Sequence, residues 1–446
     1  MSTLKQVADQ ALELAQSKGA EADCIIDKVD RLSFKAEDGV LSEYKVSGSQ
    51  VLGIRVVKDD HVGTSYSEAL DIESIRFMVD QALENARLSK NDPNQRIQVQ
   101  RSEIIDGSHD RILQADHTPL EEKVQFALDL EAQVKAKHPA VKAAPYNNLS
   151  EIQHERLYVN SLGTFCTQKE RSFSCYTSAL IEQDQQQGMH YHSSIARSFA
   201  QLNLDEVVEE SYKHAHGLLH ATPLSTGHYT IRFEINVLHS LMSAFGSLFS
   251  AKGAMNGVNP WKEKLHTSVA NSMLTIVDHP THTDAFSYHP FDDEGNLTQS
   301  TTLISDGVLQ NFYHNTATAD YFQVENTYHA SRSPKGTLGV SGSTVFIQPG
   351  SSSEEDLLQD EYFEVIALQG LHSGCNAVSG DFSLGASGYL KKGQEIVQAV
   401  KEVTISGNYF TLLNSIAAMG NQVHVDSGAS FFAPCIMFEG ITVAGT

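Results

Sequence analysis

No stretch of this sequence is long and apolar enough to cross a bilayer. The longest apolar run, Ser430–Phe438, falls far short of the roughly 20 residues that a spanning helix needs. A secretory signal pattern is also missing. Leu4, Val7, Ala8, Ala11, Leu12 and Ala15 instead follow helical spacing, with Lys5, Asp9 and Glu13 between them. A soluble, cytoplasmic protein is expected. Cysteine is scarce: Cys24, Cys166, Cys175, Cys375 and Cys435 are odd in number, widely spaced and form no CxxC. That argues against a disulfide framework or a structural zinc site and for free, mostly buried thiols. Basic residues are few, 32 Lys and Arg against 55 Asp and Glu, for a net charge of −23. No Lys/Arg cluster offsets this locally. Neutralising phosphates needs a basic surface, so direct nucleic-acid binding is not expected. There is no GxGxxG after a strand, no phosphate loop, no GxSxG and no HExxH. His154-Glu155-Arg156-Leu157-Tyr158 comes nearest to the last, but it lacks the second His and sits in a strand-like stretch.

What is present is a chain of 446 residues, 41% hydrophobic and 20% charged, too long for one core. Its pattern predicts an α+β protein in three parts. Residues 1–105 hold the amphipathic N-terminal helix, then alternating strands around 24–28, 31–35 and 40–45, with a hairpin turn at Asp38-Gly39. A strand pair follows at 50–57 and 62–67, joined by Lys58-Asp59-Asp60-His61, and then a helix over 71–86. In residues 106–225, Thr118-Pro119 reads as an N-cap and first helical turn. That helix runs to about 138 with Leu120, Val124, Ala127 and Leu128 inward; strands over 156–181 and a helix over 204–220 follow. Residues 226–446, after the boundary at 222–227, form a β-rich domain with one strongly amphipathic helix built on Leu238, Leu241, Met242, Phe245, Leu248 and Phe249.

Twenty histidines invite metal-site readings. His216 and His220 have the i,i+4 spacing by which a helix offers two imidazoles to one ion, but no acidic residue lies between them, and solvent exposure is the plainer reading. His190 and His192 alternate in a strand, where exposure is again expected. His279, His282 and His289 share a proline-punctuated loop without ligand spacing. The run Gly380–Gly388 is the most unusual local segment. Gly380, Asp381, Gly385 and Gly388 fit either a tight connection in a crowded β-domain or the wall of a peptide groove, where exposed backbone would pair with an extended chain.

Several segments together carry a family resemblance: Gly48–Ser67, Phe291-Asp292-Asp293-Glu294-Gly295, Gly380–Gly388, Glu402–Asn408 and Ile441–Thr446. By their order and spacing the chain resembles the TldD/PmbA family, also called modulators of DNA gyrase, over essentially its whole length, and its TldE (PmbA) branch in particular. The resemblance implies a cytoplasmic zinc peptidase whose TldD-like subunit carries HExxxH on a helix and a Cys-Gly near the C-terminus. There Zn²⁺ acidifies a water and Glu takes its proton. This sequence departs at the decisive places. His239 aligns with the first His, but Ser240 replaces the Glu, Ala244 the second His and Ser427 the Cys. The resemblance therefore implies a chain with no metal and no catalytic residue of its own. Zinc is expected in a TldD-like partner, and this chain would wall a shared chamber for peptides or unfolded proteins, an antitoxin among them. Two alternatives stand beside it. One is a non-enzymatic, homodimeric protein-binding regulator in a gyrase-related or toxin–antitoxin pathway. The other is a peptidase acting alone, with metal held by a rearranged set such as His239 with Cys435 or the loop histidines.

Overall fold

Two-residue turns set the architecture of the first half. Asp38-Gly39 and Asp59-Asp60 both have left-handed φ, and so do Asp184-Gln185. That twist matches hairpins and splays nothing. The computed structural model describes residues 3–98 and 104–446. Strands β1 (Glu21–Glu37), β2 (Val40–Lys58) and β3 (His61–Ser67) form a meander, and the two strands expected at 24–28 and 31–35 are one continuous β1. The short β4 (Ile105–Asp106) and β5 (Val141–Ala143) are followed by β6 (Asn148–Asn160), β7 (Phe165–Gln183) and β8 (Gln186–Ala196). All eight belong to one sheet, ordered β3-β2-β1-β6-β7, with β4, β5 and β8 against β7. Residues 1–105 and 106–225 thus share a sheet, because β1 pairs with β6 from Asp23↔Asn160 to Phe34↔Leu149.

Helices cover one face. Helix α1 (Thr3–Ser17) and helix α2 (Ile72–Leu88) bury Ala8, Ala11, Leu12, Ala15, Ile75 and Val79 against Ile26, Leu52 and Ile54. Helix α3 (Leu120–Ala136) and helix α4 (Leu204–Gly217) cover the rest. The inward face of α3 differs from the expectation. Leu120 is exposed, while Lys123, Ala127, Leu130, Glu131 and Val134 are buried. Lys123 can be buried because Asp116 and Glu151 each bind its ammonium at 2.6 Å. Thr118 does not cap this helix; its hydroxyl donates to Asp116.

The C-terminal part is a ten-stranded sheet: β9 (Gly227–Phe233), β10 (Ile276–Asp278), β11 (Thr301–Ser305), β12 (Val308–Leu309), β15 (Val345–Ile347), β16 (Glu361–Gln369), β17 (Asp381–Lys392), β18 (Glu395–Asn408), β19 (Ile416–Val425) and β20 (Phe431–Ala444). A separate ribbon joins β13 (Ala330–Ser331) to β14 (Gly339–Val340). β9 pairs with both β16 and β20, so β9, β16, β17, β18 and β20 close into a ring. Helix α5 (Ile235–Ala244) follows β9 directly. The long amphipathic helix expected here stops at Ala244; Phe245 turns the chain, and Gly246–Phe249 continues as a 3-10 turn.

The two sheets meet through buried charge. Asp23, fully buried on β1, accepts from Arg55 Nε and Nη2 at 2.9 and 2.6 Å and from Arg332 Nη2 at 2.6 Å. Gly53 is needed beside them: a Cβ there would lie 1.9 Å from the Pro334 carbonyl. Nearby, His154 Nε2 meets Asp27 at 3.1 Å and its Nδ1 meets Glu170 at 3.3 Å, so the near-miss to a zinc motif is an ion-pair residue. The hydrogen bonds to Asp27 and Glu170 raise its pKa from 6.5 to about 9 against the pull of burial. A raised histidine pKa stabilises the fold fully below its unfolded value and loses that contribution as pH rises through the folded one. Stability should therefore fall between about pH 6.5 and 9. His154→Gln should flatten that fall in urea titrations at several pH values; a mutant profile parallel to the wild type would overturn the assignment.

Candidate functional site

Helix α5 has two faces. Val237, Leu238 and Leu241 are buried, and Asn236, His239, Ser240 and Ser243 occupy the opposite, helically spaced side. The turn between β19 and β20, Asp426–Ser430, folds back onto that side. Ser427 N donates to Asn236 Oδ1 at 2.8 Å, and His239 Nδ1 lies 3.1 Å from Asp426 Oδ2. The His239 ring stacks on Phe431, with centroids 5.0 Å apart and planes 2° from parallel. Asp426 Oδ1 accepts the Ser430 and Phe431 amides at 2.7 Å each. Burial pushes this carboxyl up, but the bonds from His239, Phe431 and Ser430 outweigh it and hold the pKa below the ordinary value.

The structure thus brings His239 and Ser427 together, two positions far apart in the chain. The other two aligned positions stand apart. Ser240 is exposed, and its hydroxyl donates back to Asn236 O. Ala244 packs against the C-terminal core, as five residues of helix turn a side chain well away from its starting direction. Cys435 lies in a different cluster, with Leu358, Tyr362 and Met437, so His239 and Cys435 do not converge. Burial raises its thiol pKa to about 11. Among the described residues no three His, Cys, Asp or Glu side chains are arranged to hold a metal ion. His220 lies past the end of α4, so it and His216 share no helical face. The donor set around α5 does not fit a catalytic zinc, which needs three protein ligands and an open position.

The glycine run is not a free edge. β17 pairs with β16 on one side and β18 on the other, matching Gly385 to Gln369 and Thr404 and Gly388 to Val365 and Val400. Its backbone is used within the ring, so Gly385 and Gly388 cannot pair with an added peptide. Gly388 serves close packing, since a Cβ there would lie 1.9 Å from the Glu364 carbonyl. Gly380 turns into the strand at φ 83°, and Asp381 accepts from Asn408 Nδ2 at 2.9 Å.

Concavity lies elsewhere. A cavity of about 470 Å³ opens beside His239, floored by Met242, Phe249, Tyr313, Val345 and Phe431 and rimmed by serines. Ser341–Ser343 also border a second space, of about 170 Å³, which reaches Arg156 and Asp293 at the junction of the two sheets. Beneath Ser343 lies fully buried Asp278, which accepts from Ser343 Oγ at 2.8 Å and meets His329 Nε2 at 3.0 Å. The carboxylate stands between serine and histidine, so the hydroxyl is not bonded to the imidazole as nucleophilic catalysis would require. Tyr328, which lines the smaller space, has left-handed backbone at φ 59°, and so does Ala429, next to Ser430 of the larger cavity, at φ 44°. Asp278, His329 and Asp426 carried no motif signal; only the Asp-x-Gly turn at 426–428 hinted at the last.

Comparison with known proteins agrees with this architecture. Models of the PmbA/TldA metallopeptidase domains match residues 22–86 (domain 1), 114–219 (central domain) and 226–445 (C-terminal domain). The metalloprotease PmbA of Escherichia coli O157:H7 is 23% identical over 434 residues, covering 95% of this chain and 92% of that one. A metalloprotease of Archaeoglobus fulgidus is 25% identical over 404 residues, covering 89% and 91%. The crystal structure of a putative modulator of a DNA gyrase from Thermotoga maritima superposes with a TM-score of 0.84 at 26% identity, covering 99% of this chain and 100% of that one. That of TldE from Thermococcus kodakarensis has a TM-score of 0.82 at 18% identity, with both chains fully covered. With three domain models spanning most of its length, this chain belongs to the PmbA/TldA metallopeptidase family.

Proposed function

We propose that this chain serves peptide hydrolysis as the zinc-free member of a pair, with a TldD-like subunit supplying the metal and this chain walling the shared chamber. One observation carries the reading: the turn at 426–430 is docked on α5 through Asn236–Ser427 and His239–Asp426, yet the positions that would bind zinc and move the proton hold Ser240, Ala244 and Ser427. The chain keeps the scaffold of a metal site without its donors. Its own part is to present the groove beside His239, whose apolar floor and polar rim suit an unfolded polypeptide. The acidic charge fits protein partners better than nucleic acid. No described helix is long and apolar enough to cross a membrane, and the reading places the pair in the cytoplasm.

The test is peptidase activity and bound zinc for this chain alone and mixed with a zinc-bearing relative. Cleavage only in the mixture, with no zinc on this chain, is the expected result. Stoichiometric zinc and cleavage by this chain alone would overturn it.

A further inference from the structure

The cleft between the middle and C-terminal regions has an electrostatic imbalance. It measures about 410 Å³ and is lined by Lys213, His214, Glu234, Glu364, Tyr389 and Lys391, with Ile366 and Ile396 giving it apolar walls. Each cation here already has its carboxylate. Lys213 binds Glu210 at 3.0 Å and Lys391 binds Glu364 at 2.5 Å, while His214, 3.3 Å from Glu210, has its pKa lowered by burial and adds no cation at neutral pH. Arg232, behind the wall, also pairs with Glu364, at 3.0 Å. Glu234 has no such partner: among the described residues no basic side chain ion-pairs with it. Its oxygens accept Asn236 N at 2.9 Å and Asn236 Nδ2 at 3.0 Å, and the Val237 amide and the more distant His192 favour its charged form more weakly. Burial outweighs these contacts and raises its pKa above the ordinary value.

We propose that this cleft binds a primary ammonium carried on an apolar body, with Glu234 as the counter-ion, and that the bearer is the amino terminus of a short peptide. An ammonium donates three hydrogen bonds and relieves the uncompensated carboxylate, while Ile366, Tyr389 and Ile396 cover the adjoining side chain. The volume suits a ligand of dipeptide size. The choice of a peptide rests on the peptidase reading; the ammonium chemistry does not. The position carries a consequence. Glu234 caps α5 through Asn236, and the Asn236 side chain also holds Ser427, so an occupant of the cleft acts on the same helix that bears His239.

The test uses the isolated full-length chain, so it does not depend on any cleavage assay. Calorimetric titration compares leucyl-leucinamide, its N-acetylated form and n-hexylamine. The free dipeptide amide should bind, acetylation should weaken it about tenfold or more, and Glu234→Gln should remove the difference. Ile396→Lys, at a position 52% exposed on the rim, should block binding by placing a tethered ammonium there, and this holds even if Glu234→Gln disturbs the helix cap. Equal affinity for the acetylated form, or no saturable binding of the free amide, overturns the proposal. Hexylamine binding as tightly as the dipeptide amide overturns the peptide assignment. Failure here, with cleavage in the mixed pair intact, sinks this inference and leaves the zinc-free-subunit reading standing.

Discussion

Asp23→Ala is expected to lower stability by about 3–5 kcal/mol, a large part of what holds an ordinary domain folded. The substitution removes one carboxylate but strands two guanidiniums. Arg55 and Arg332 are both nearly inaccessible to solvent, and each donates to a different oxygen of Asp23. Among the described residues the one other carboxylate that pairs with Arg55 is Glu294 at 3.6 Å, and that group is itself costly to ionise, because burial raises its pKa. Removing one partner of a buried pair leaves the other charged, desolvated and unsatisfied. Asp23→Asn should cost less, since an acceptor oxygen remains. Urea unfolding measures both. Asp23 and Arg55 lie on the first sheet and Arg332 beyond it, so the alanine variant should also broaden or split the transition as the two parts uncouple. A single sharp transition shifted by less than about 1 kcal/mol would show that the cluster contributes little to holding the parts together.

The second large effect concerns the groove. Ser243 is exposed on the outer side of α5 and borders the cavity beside His239. Ser243→Trp should fill much of that space with an indole while leaving stability within about 0.5 kcal/mol, as surface substitutions usually do. If unfolded polypeptide passes through this groove, the mixed pair should lose about tenfold or more in cleavage of a long unfolded substrate. Gln422→Trp, exposed on β19 outside the cavity, adds the same bulk as a control. Equal cleavage by the two variants would remove the groove from the substrate path.

How much of this was legible in the sequence follows from which forces act locally. The hairpin at Asp38-Gly39 and the turn at Asp59-Asp60 were readable because short polar residues and glycine tolerate left-handed backbone. The amphipathic α1 was readable from its 3.6-residue period. The face of α3 was not, because burial of Lys123 depends on Asp116 and Glu151, and no hydropathy pattern reports ion pairing across elements. The same limit hid the core of the site. His239, Ser240, Ala244 and Ser427 were picked out by resemblance, and the fold unites only the first and last. Their link runs through Asn236, which had no reason to stand out, and Asp426, marked only as a turn residue until β20 brought the turn back onto α5. Gly385 and Gly388 mark close packing inside a closed ring, since glycine density signals backbone proximity without saying to what.

The pairing of β1 with β6 also sets the order in which the chain can mature. Ala36 and Asn147 hydrogen-bond at a sequence separation of 111, and the strands flanking them pair over a dozen residues. During synthesis β1, β2 and β3 can meet as soon as they are made, but β1 then offers a long unsatisfied edge until β6 leaves the ribosome, many seconds later at ordinary elongation rates. Closing so large a loop is entropically slow, and exposed edges recruit other chains. The helices α1 and α2 form from local sequence in that interval and shield the apolar face, so the nascent first half carries its own temporary cover on one side only. Its open side is where a ribosome-associated chaperone would be needed most.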